Sequence, residues 1–145
     1  MTMQMRVDKT QLETFTRLFP EKQAKILEAW KEEGSRATME AMRNRVPIRT
    51  GYLRESITRK LTPKGFTVTP TAPYASFVDQ GTRPHTIYPA NAKVLMWHGP
   101  YGEAVFSRIV HHPGSAARFF MRDTREEMAP VLKQMLLRNI EEGMK

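Results

Sequence analysis

Apolar residues recur every three or four positions in the first third of the chain, which is the spacing of amphipathic helices. Asp8 suits the N-cap of a first helix through Leu12, Phe15 and Leu18. Pro20 suits the first position of a second helix, because its missing N–H would be unpaired there anyway. Pro47 is expected to end that helix near Val46. Its apolar stripe begins bulky and turns small: Ile26, Leu27, Trp30, Gly34, Ala37 and Ala41.

The pattern changes to alternation after residue 52. Leu53, Ile57 and Leu61 alternate with polar residues, which fits a strand with one buried face. They are also four apart, so spacing alone leaves a helix open, while the β-branched residues favour a strand for the second half. Thr62-Pro63-Lys64-Gly65 predicts a turn, with Phe66 to Thr69 returning as the second strand of a hairpin.

Prolines and glycines divide the next segment into short pieces. Four prolines within residues 70–92 exclude a long element. Pro73 could start a short helix over Tyr74–Asp79, which Gly81 would stop. Lys93–His98 and Ala104–His111 are predicted to be two further strands, joined by a turn over Gly99-Pro100-Tyr101-Gly102. The core is expected to include Tyr74, Phe77, Val78, Trp97 and Phe106.

A last helical pattern runs from Ser115 onward, and Pro130 within it predicts a kink or a division into two helices. Its methionines at 121, 128 and 135 are either core filler or an adaptable face toward neighbouring subunits. The sum is an α+β fold: a small, mostly antiparallel sheet of about four strands, packed by a long helix of the N-terminal half and a C-terminal helix. With 145 residues and no linker, one domain over residues 1–145 is expected.

Composition narrows the class of protein. The chain has no cysteine, which excludes disulfides and thiolate metal sites. Its longest apolar runs are too short to span a bilayer, and its first residues lack the apolar stretch of a signal peptide. The expectation is a soluble, intracellular protein without membrane partners.

The net charge of +8 is concentrated in residues 41–65, which carry seven basic residues and one acidic residue. Two interpretations stay open: a solvated strand face protected from edge pairing, or a contact surface for nucleic acid or an acidic protein. The candidate contact residues are Arg43, Arg45, Arg49, Arg54, Arg59, Lys60 and Lys64.

No arrangement of residues predicts catalysis or a cofactor. His98 and His111 flank the hairpin predicted over residues 93–111 and could be close together, but no carboxylate lies at ligand spacing from them or from His85 and His112. The paired glutamates are neighbours on helices, which do not face each other. No P-loop, G-x-G-x-x-G or G-x-S-x-G is present. We expect no metal, no cofactor and no enzymatic activity.

A string of short motifs follows in a fixed order after residue 46. It comprises Val46-Pro47, Thr50-Gly51-x-Leu53-Arg54-x-Ser56-Ile57, Pro73-Tyr74-Ala75, Val78-Asp79-Gln80-Gly81-Thr82, His85, Ile87-x-Pro89, Lys93-x-Leu95-x-Trp97, Val110-x-His112-Pro113-Gly114 and Phe119-Phe120-Met121. Over residues 20–140 the chain resembles the tail-component family of long-tailed, double-stranded-DNA bacteriophages, whose members join heads to tails. The family more often has glutamate at the position of Asp79, and a proline-phenylalanine pair near Phe119.

Physically, the motif residues are predicted to be scaffold rather than site. Gly51, Gly81 and Gly114 are expected where φ is positive, and Asp79 and Thr82 where turn amides need acceptors. The scaffold residues are Thr50, Gly51, Leu53, Ser56, Tyr74, Ala75, Asp79, Gly81, Thr82, His85, Pro113 and Gly114.

The resemblance implies a structural virion protein at the head–tail junction, assembled in the host cytoplasm. It implies a ring of copies around the DNA channel, between a connector or head-completion protein and a tail terminator or tube protein. The basic stretch would then face the packaged DNA, without sequence preference, or an acidic neighbour. A tail terminator is the alternative within phages, and a small cytosolic non-specific nucleic-acid-binding module is the alternative outside them.

Overall fold

A computed structural model describes residues 3–6 and 20–144 of the chain. The predicted first helix, from Asp8 to Leu18, lies outside these residues. The helices are α1 (Pro20–Arg45), α2 (Tyr52–Glu55), α3 (Ala75–Gln80) and α4 (Phe120–Met144). The strands are β1 (Met3–Arg6), β2 (Ile57–Thr62), β3 (Gly65–Pro70), β4 (His85–Ile87), β5 (Leu95–His98), β6 (Ala104–Ser107) and β7 (Val110–His112).

The strands of the described residues form three small antiparallel sheets. One has the order β1-β3-β2, a second pairs β4 with β7, and a third pairs β5 with β6. The α+β class is therefore confirmed, with α1 before and α4 after the strands β2 to β7 in the sequence. The expected sheet of about four strands is instead divided into three sheets with seven strands.

The main core lies between α1, α4 and the three-stranded sheet. The indole N–H of Trp30 donates to the backbone oxygen of Leu132 at 2.9 Å, and the Trp30 and Phe66 rings lie 5.5 Å apart. A Cβ at Gly34 would lie 2.7 Å from Cδ2 of Leu132. The predicted stripe on α1 thus becomes small where α4 and the sheet approach its backbone.

Helix α4 runs without interruption from Phe120 to Met144, so Pro130 does not divide it into two helices, and the alternative of a kink at Pro130 stays a prediction. Pro130 is exposed, and the carbonyl that loses its helical partner there can be solvated. Met121 and Met128 are buried and Met135 packs against the core, which supports their role as core filler. No helix among the described residues is both long and apolar enough to cross a membrane.

The segment after α1 follows the expected boundaries with one change. Helix α1 ends at Arg45, just before Pro47, and Pro63-Lys64 connects β2 to β3 with Thr62 opposite Gly65. The segment from Leu53 to Leu61, for which spacing left both a helix and a strand open, contains one of each. Helix α2 forms one turn around Leu53, and β2 begins at Ile57. Leu61 is exposed rather than buried.

The predicted strand Ala104–His111 is wrong in its length. It is divided into β6 and β7, which belong to different sheets. The hydroxyl of Ser107 donates to the backbone oxygen of Ile109 at 2.6 Å and accepts from its N–H at 3.3 Å. This local turn replaces the ladder hydrogen bonds that a continuous strand would need.

Four of the five residues assigned to the core from sequence are exposed: Tyr74, Phe77, Trp97 and Phe106. Val78 alone of that group packs against the core. Within the described residues, β5 and β6 pack extensively only against each other, and α3 buries Ala75 and Asp79 rather than its aromatic residue. Trp97 and Phe106 therefore have no extensive partner element among the described residues.

We predict that truncating Trp30 destabilises the fold more than any change on the exposed hairpin. Trp30→Ala should cost about 3–5 kcal/mol of unfolding free energy through the cavity it leaves. Trp30→Phe keeps most of the ring and should cost about 1–2 kcal/mol through the lost hydrogen bond. Denaturant unfolding measures both, with Tyr101→Ala as an exposed control that changes stability by less than about 0.5 kcal/mol. Equal losses of unfolding free energy in all three variants would refute the central role of Trp30 in the core.

Candidate partner-contact surface

The basic stretch runs from the end of α1 through the following loop, α2 and β2 to the turn before β3, and three of its seven cations are held by the chain itself. Arg45 forms an ion pair with Glu127 of α4, with Nε 2.9 Å from Oε2. Nη2 of Arg43 donates to the backbone oxygen of Ile57 at 3.3 Å. Both contacts hold α1 against another element, so these two charges are partly compensated.

Arg59 is the third internal cation. It points from β2 toward α1, where Nη2 lies 2.7 Å from Oε1 of Glu32 and Nη1 lies 3.0 Å from Oγ of Ser35. The hydrogen bond from Arg59 lowers the pKa of Glu32, aided by the charges of Arg59 and Arg36, and partial desolvation opposes the shift. The same hydrogen bond raises the pKa of Arg59. Glu32 therefore stays ionised and neutralises this part of the stretch.

The other four cations make no ion pair or side-chain hydrogen bond with the part of the chain that the structure describes. Arg49, Lys60 and Lys64 are exposed and Arg54 is half-buried. They form two groups: Arg49 and Arg54 in the segment from the loop after α1 to α2, and Lys60 and Lys64 near the β2–β3 turn. The structure thus divides the sequence-predicted basic stretch into a paired part and an available part.

Arg49 lines a groove of about 520 Å³ beside this loop. Its apolar lining includes Pro47, Ile48, Leu53 and Val78, and Tyr74 closes one side. The rings of Tyr52 and Tyr74 lie 6.2 Å apart. The groove therefore combines an apolar floor with a cationic side chain.

The motif Thr50-Gly51-x-Leu53-Arg54-x-Ser56-Ile57 shapes the chain between α1 and β2. Gly51 has φ 84°, as its position in the motif led us to expect, and it precedes the single turn of α2. Oγ1 of Thr50 accepts from the N–H of Tyr52 at 3.4 Å, and Leu53 points into the core. Ser56 is buried, and its hydroxyl donates to the backbone oxygen of Leu53 at 2.8 Å.

The motif Val78-Asp79-Gln80-Gly81-Thr82 joins α3 to the start of α4. Asp79 is buried, and its Oδ1 accepts from the N–H of Met121 at 2.9 Å. Its carboxylate therefore satisfies a helix N-terminal amide rather than the amides of its own turn, which corrects the sequence expectation. Its backbone oxygen accepts from the N–H of Phe119 at 2.9 Å. Ala75, also buried, anchors the beginning of α3.

The residues after Asp79 form a close backbone crossing. Thr82 and Ser115 exchange backbone hydrogen bonds of 3.0 and 3.1 Å. Gly81 has φ 73° and Gly114 has φ 86°, in line with the sequence expectation. A Cβ at Gly81 would lie 2.4 Å from the oxygen of Ser115, and one at Gly114 would lie 2.3 Å from the oxygen of Thr82. Glycine is therefore required on both sides of this crossing.

The histidines are arranged differently from the sequence expectation. His98 and His111 do not share a hairpin, because β5 and β7 belong to separate sheets. The rings of His85 and His112 stack at 5.1 Å, next to the exposed Pro113. The described residues contain no group of three or more side chains placed to hold a metal ion.

Sequence reasoning missed the apolar part of this surface. Ile48, Tyr52, Tyr74 and Phe77 are exposed around the groove, and Met96, Trp97 and Phe106 are exposed on the β5–β6 hairpin. Periodicity marks such residues as apolar but does not say whether another element covers them. The short strands and the Gly99-Pro100 turn were the available signals of a small, projecting hairpin.

Together, the fold and this surface define a small α+β protein that offers apolar side chains and cations to partners. Residues 9–81 match the model of the family described as "Bacteriophage HK97-gp10, putative tail-component". The chain belongs to this phage tail-component family, which points to a non-enzymatic structural protein of a virion. The match ends at Gly81, short of the resemblance over residues 20–140. Comparisons with curated proteins and with solved structures gave no match.

We predict that the Asp79 carboxylate stabilises the fold through the N-terminus of α4. Asp79→Ala leaves the buried N–H of Met121 without its acceptor and should cost about 1–3 kcal/mol of unfolding free energy. Asp79→Asn keeps a side-chain oxygen and should cost less. Asp123→Ala, which removes a surface pair with Arg122 and one carboxylate from the first turn of the same helix, should cost less than about 1 kcal/mol. Denaturant unfolding compares the three, and an Asp79→Ala loss no larger than that of Asp123→Ala would contradict the role.

We also predict that Arg59→Gln moves the pKa of Glu32 up toward its ordinary value of 4.5. Because the folded-state pKa is depressed, the interaction stabilises the protein above pH 4.5 and is lost as the pH falls through the folded-state pKa. The variant should therefore lose less stability on acidification than the wild type. NMR titration of the Glu32 carboxyl measures the shift. Arg36→Gln, the weaker partner, should produce a smaller shift, and an unchanged Glu32 pKa in Arg59→Gln would refute the coupling.

Proposed function

We propose that this protein acts at the head–tail junction of a phage virion, as a neck or tail-completion component. Copies of the chain form a ring that joins the connector or head-completion protein to the tail terminator or tube around the DNA channel. The observation that carries the proposal is membership of the tail-component family. The exposed apolar hairpin and the available cations support it, because a ring needs surfaces for neighbouring copies and for its contents.

In this arrangement Lys60 and Lys64 face the packaged DNA. Both are exposed and make no ion pair with the described residues, whereas Arg43, Arg45 and Arg59 are held by their own chain. Contact with phosphates through such side chains carries no base information. A channel that DNA must pass through favours this weak, sequence-independent attraction over tight binding.

A phage that lacks the gene tests the position in the virion. Electron microscopy should show filled heads and complete, separate tails, and supplying the wild-type gene in trans should restore joined particles. Normal virions without the gene would refute a role at the junction. Tails of abnormal length would favour the alternative of a tail terminator.

The available cations also favour a second candidate, a small module that binds nucleic acid without sequence preference. Its test is a gel-shift assay over a range of salt concentrations with Lys60→Glu/Lys64→Glu. If the two lysines contact phosphates, the variant should bind DNA more weakly, and its log–log salt slope should fall by about 2. Lys22→Glu/Lys25→Glu, an equal charge change at exposed positions of α1, is the matched control. Equal loss in both variants would show bulk charge alone, and no DNA binding by the wild type would refute this candidate.

A further inference from the structure

The β5–β6 hairpin is an apolar arm on which no other described helix or strand packs extensively. Directly opposed residues share a face of a hairpin, so Met96 and Phe106 lie on one face while Trp97 and Val105 lie on the other. Within the described residues neither strand packs extensively on another element. A two-stranded hairpin is marginally stable in water unless a further element covers it. The arm therefore has the properties of a surface that a partner completes.

The groove beside Arg49 is a second apolar feature that the described residues leave open. Ile48 is 66% exposed and Tyr52 is 55% exposed, and Phe77, which precedes the groove residue Val78, is 60% exposed. The groove has a volume of about 520 Å³, which is large enough for one or two side chains of a neighbour. One chain thus carries both an apolar projection and an apolar groove.

We propose that the β5–β6 arm of one copy occupies the groove beside Arg49 of the next copy, which deepens and rests on the proposed ring. The two surfaces differ, so the contact is heterologous and can repeat around a closed ring. Charge supports this pairing. Glu103, at the end of the arm, is the only acidic residue between Asp79 and Asp123, and it would approach Arg49 and Arg54.

The available area sets the strength of the contact. Tyr101 at the turn and Phe106 on one face of the arm are 94% and 64% exposed, which is equivalent to about one and a half aromatic side chains, or roughly 250–400 Å². With an equal area on the partner, one contact buries at most roughly 500–800 Å² in total, which is below the roughly 1,000 Å² of a specific, stable interface. A single contact is therefore weak, and closure of the ring, which gives each copy two contacts, supplies the remaining stability.

The absence of cysteine from the chain makes a direct test possible. Tyr101→Cys and Ile48→Cys are prepared separately, given different isotope labels, mixed at high concentration and treated with a short thiol–thiol cross-linker. Mass spectrometry should find covalent dimers with one copy of each variant. The double variant should give a ladder of covalent oligomers. Adding Phe106→Ser, with folding checked by circular dichroism, should lower the cross-linking yield about tenfold.

Tyr101→Cys mixed with Glu126→Cys, an exposed position on α4, is the matched control. Mixed dimers of Tyr101→Cys and Ile48→Cys that are no more frequent than in this control would overturn the proposal. Dimers formed only between two copies of Tyr101→Cys would also overturn it, because they indicate a symmetric arm-to-arm contact. If cross-linking fails while loss of the gene still blocks joining, the interface is wrong and the proposed function stands. If the double variant gives a ladder of oligomers but loss of the gene leaves virions normal, the interface is right and the proposed function is wrong.

Discussion

The packing of α1 against α4 is the contact on which the rest of the structure depends. Trp30 and Leu132 are 102 positions apart, yet the indole of one donates to the backbone of the other. Ion pairs of Arg45 with Glu127 and of Arg138 with Glu33 lie along the same two helices. Because α4 must return to α1 after all the strands, every loop between them is closed by this contact. Loss of the Trp30 side chain would thus loosen the whole chain rather than one element.

A second set of contacts, around the crossing of Thr82 with Ser115, explains why the motif residues form turns rather than a chemical site. Asp79 holds the first turn of α4, and the crossing of Thr82 with Ser115 brings together the two ends of residues 82–115. The β4–β7 pair extends this crossing, and the β5–β6 arm emerges beyond it. Gly81 and Gly114 let the two backbones approach without side-chain obstruction. The motif residues therefore fix the base from which the arm projects.

The sequence predicted those parts of the structure that local chemistry determines. Pro20 and Pro47 marked helix ends because proline restricts the backbone wherever it stands. Gly81 marked the end of α3 because glycine readily adopts the positive φ found there. The exposure of Trp97 and Phe106 could not be predicted, because it depends on which elements fail to cover the arm. Charge behaved in the same way: Arg45 and Arg59 looked available in the sequence, but their partners Glu127 and Glu32 are brought to them only by the fold. Composition thus overstated how many of the seven cations are free of partners within the chain.

The net charge of +8 connects the two proposals. An apolar arm and an apolar groove on one chain would promote uncontrolled association if copies attracted one another at long range. A high net charge of one sign opposes this, because it keeps dilute copies apart. Packaged DNA or an acidic neighbour would neutralise part of that charge and concentrate the copies in one place. A weak apolar contact together with electrostatic repulsion would therefore confine ring formation to the site where the partner is already present.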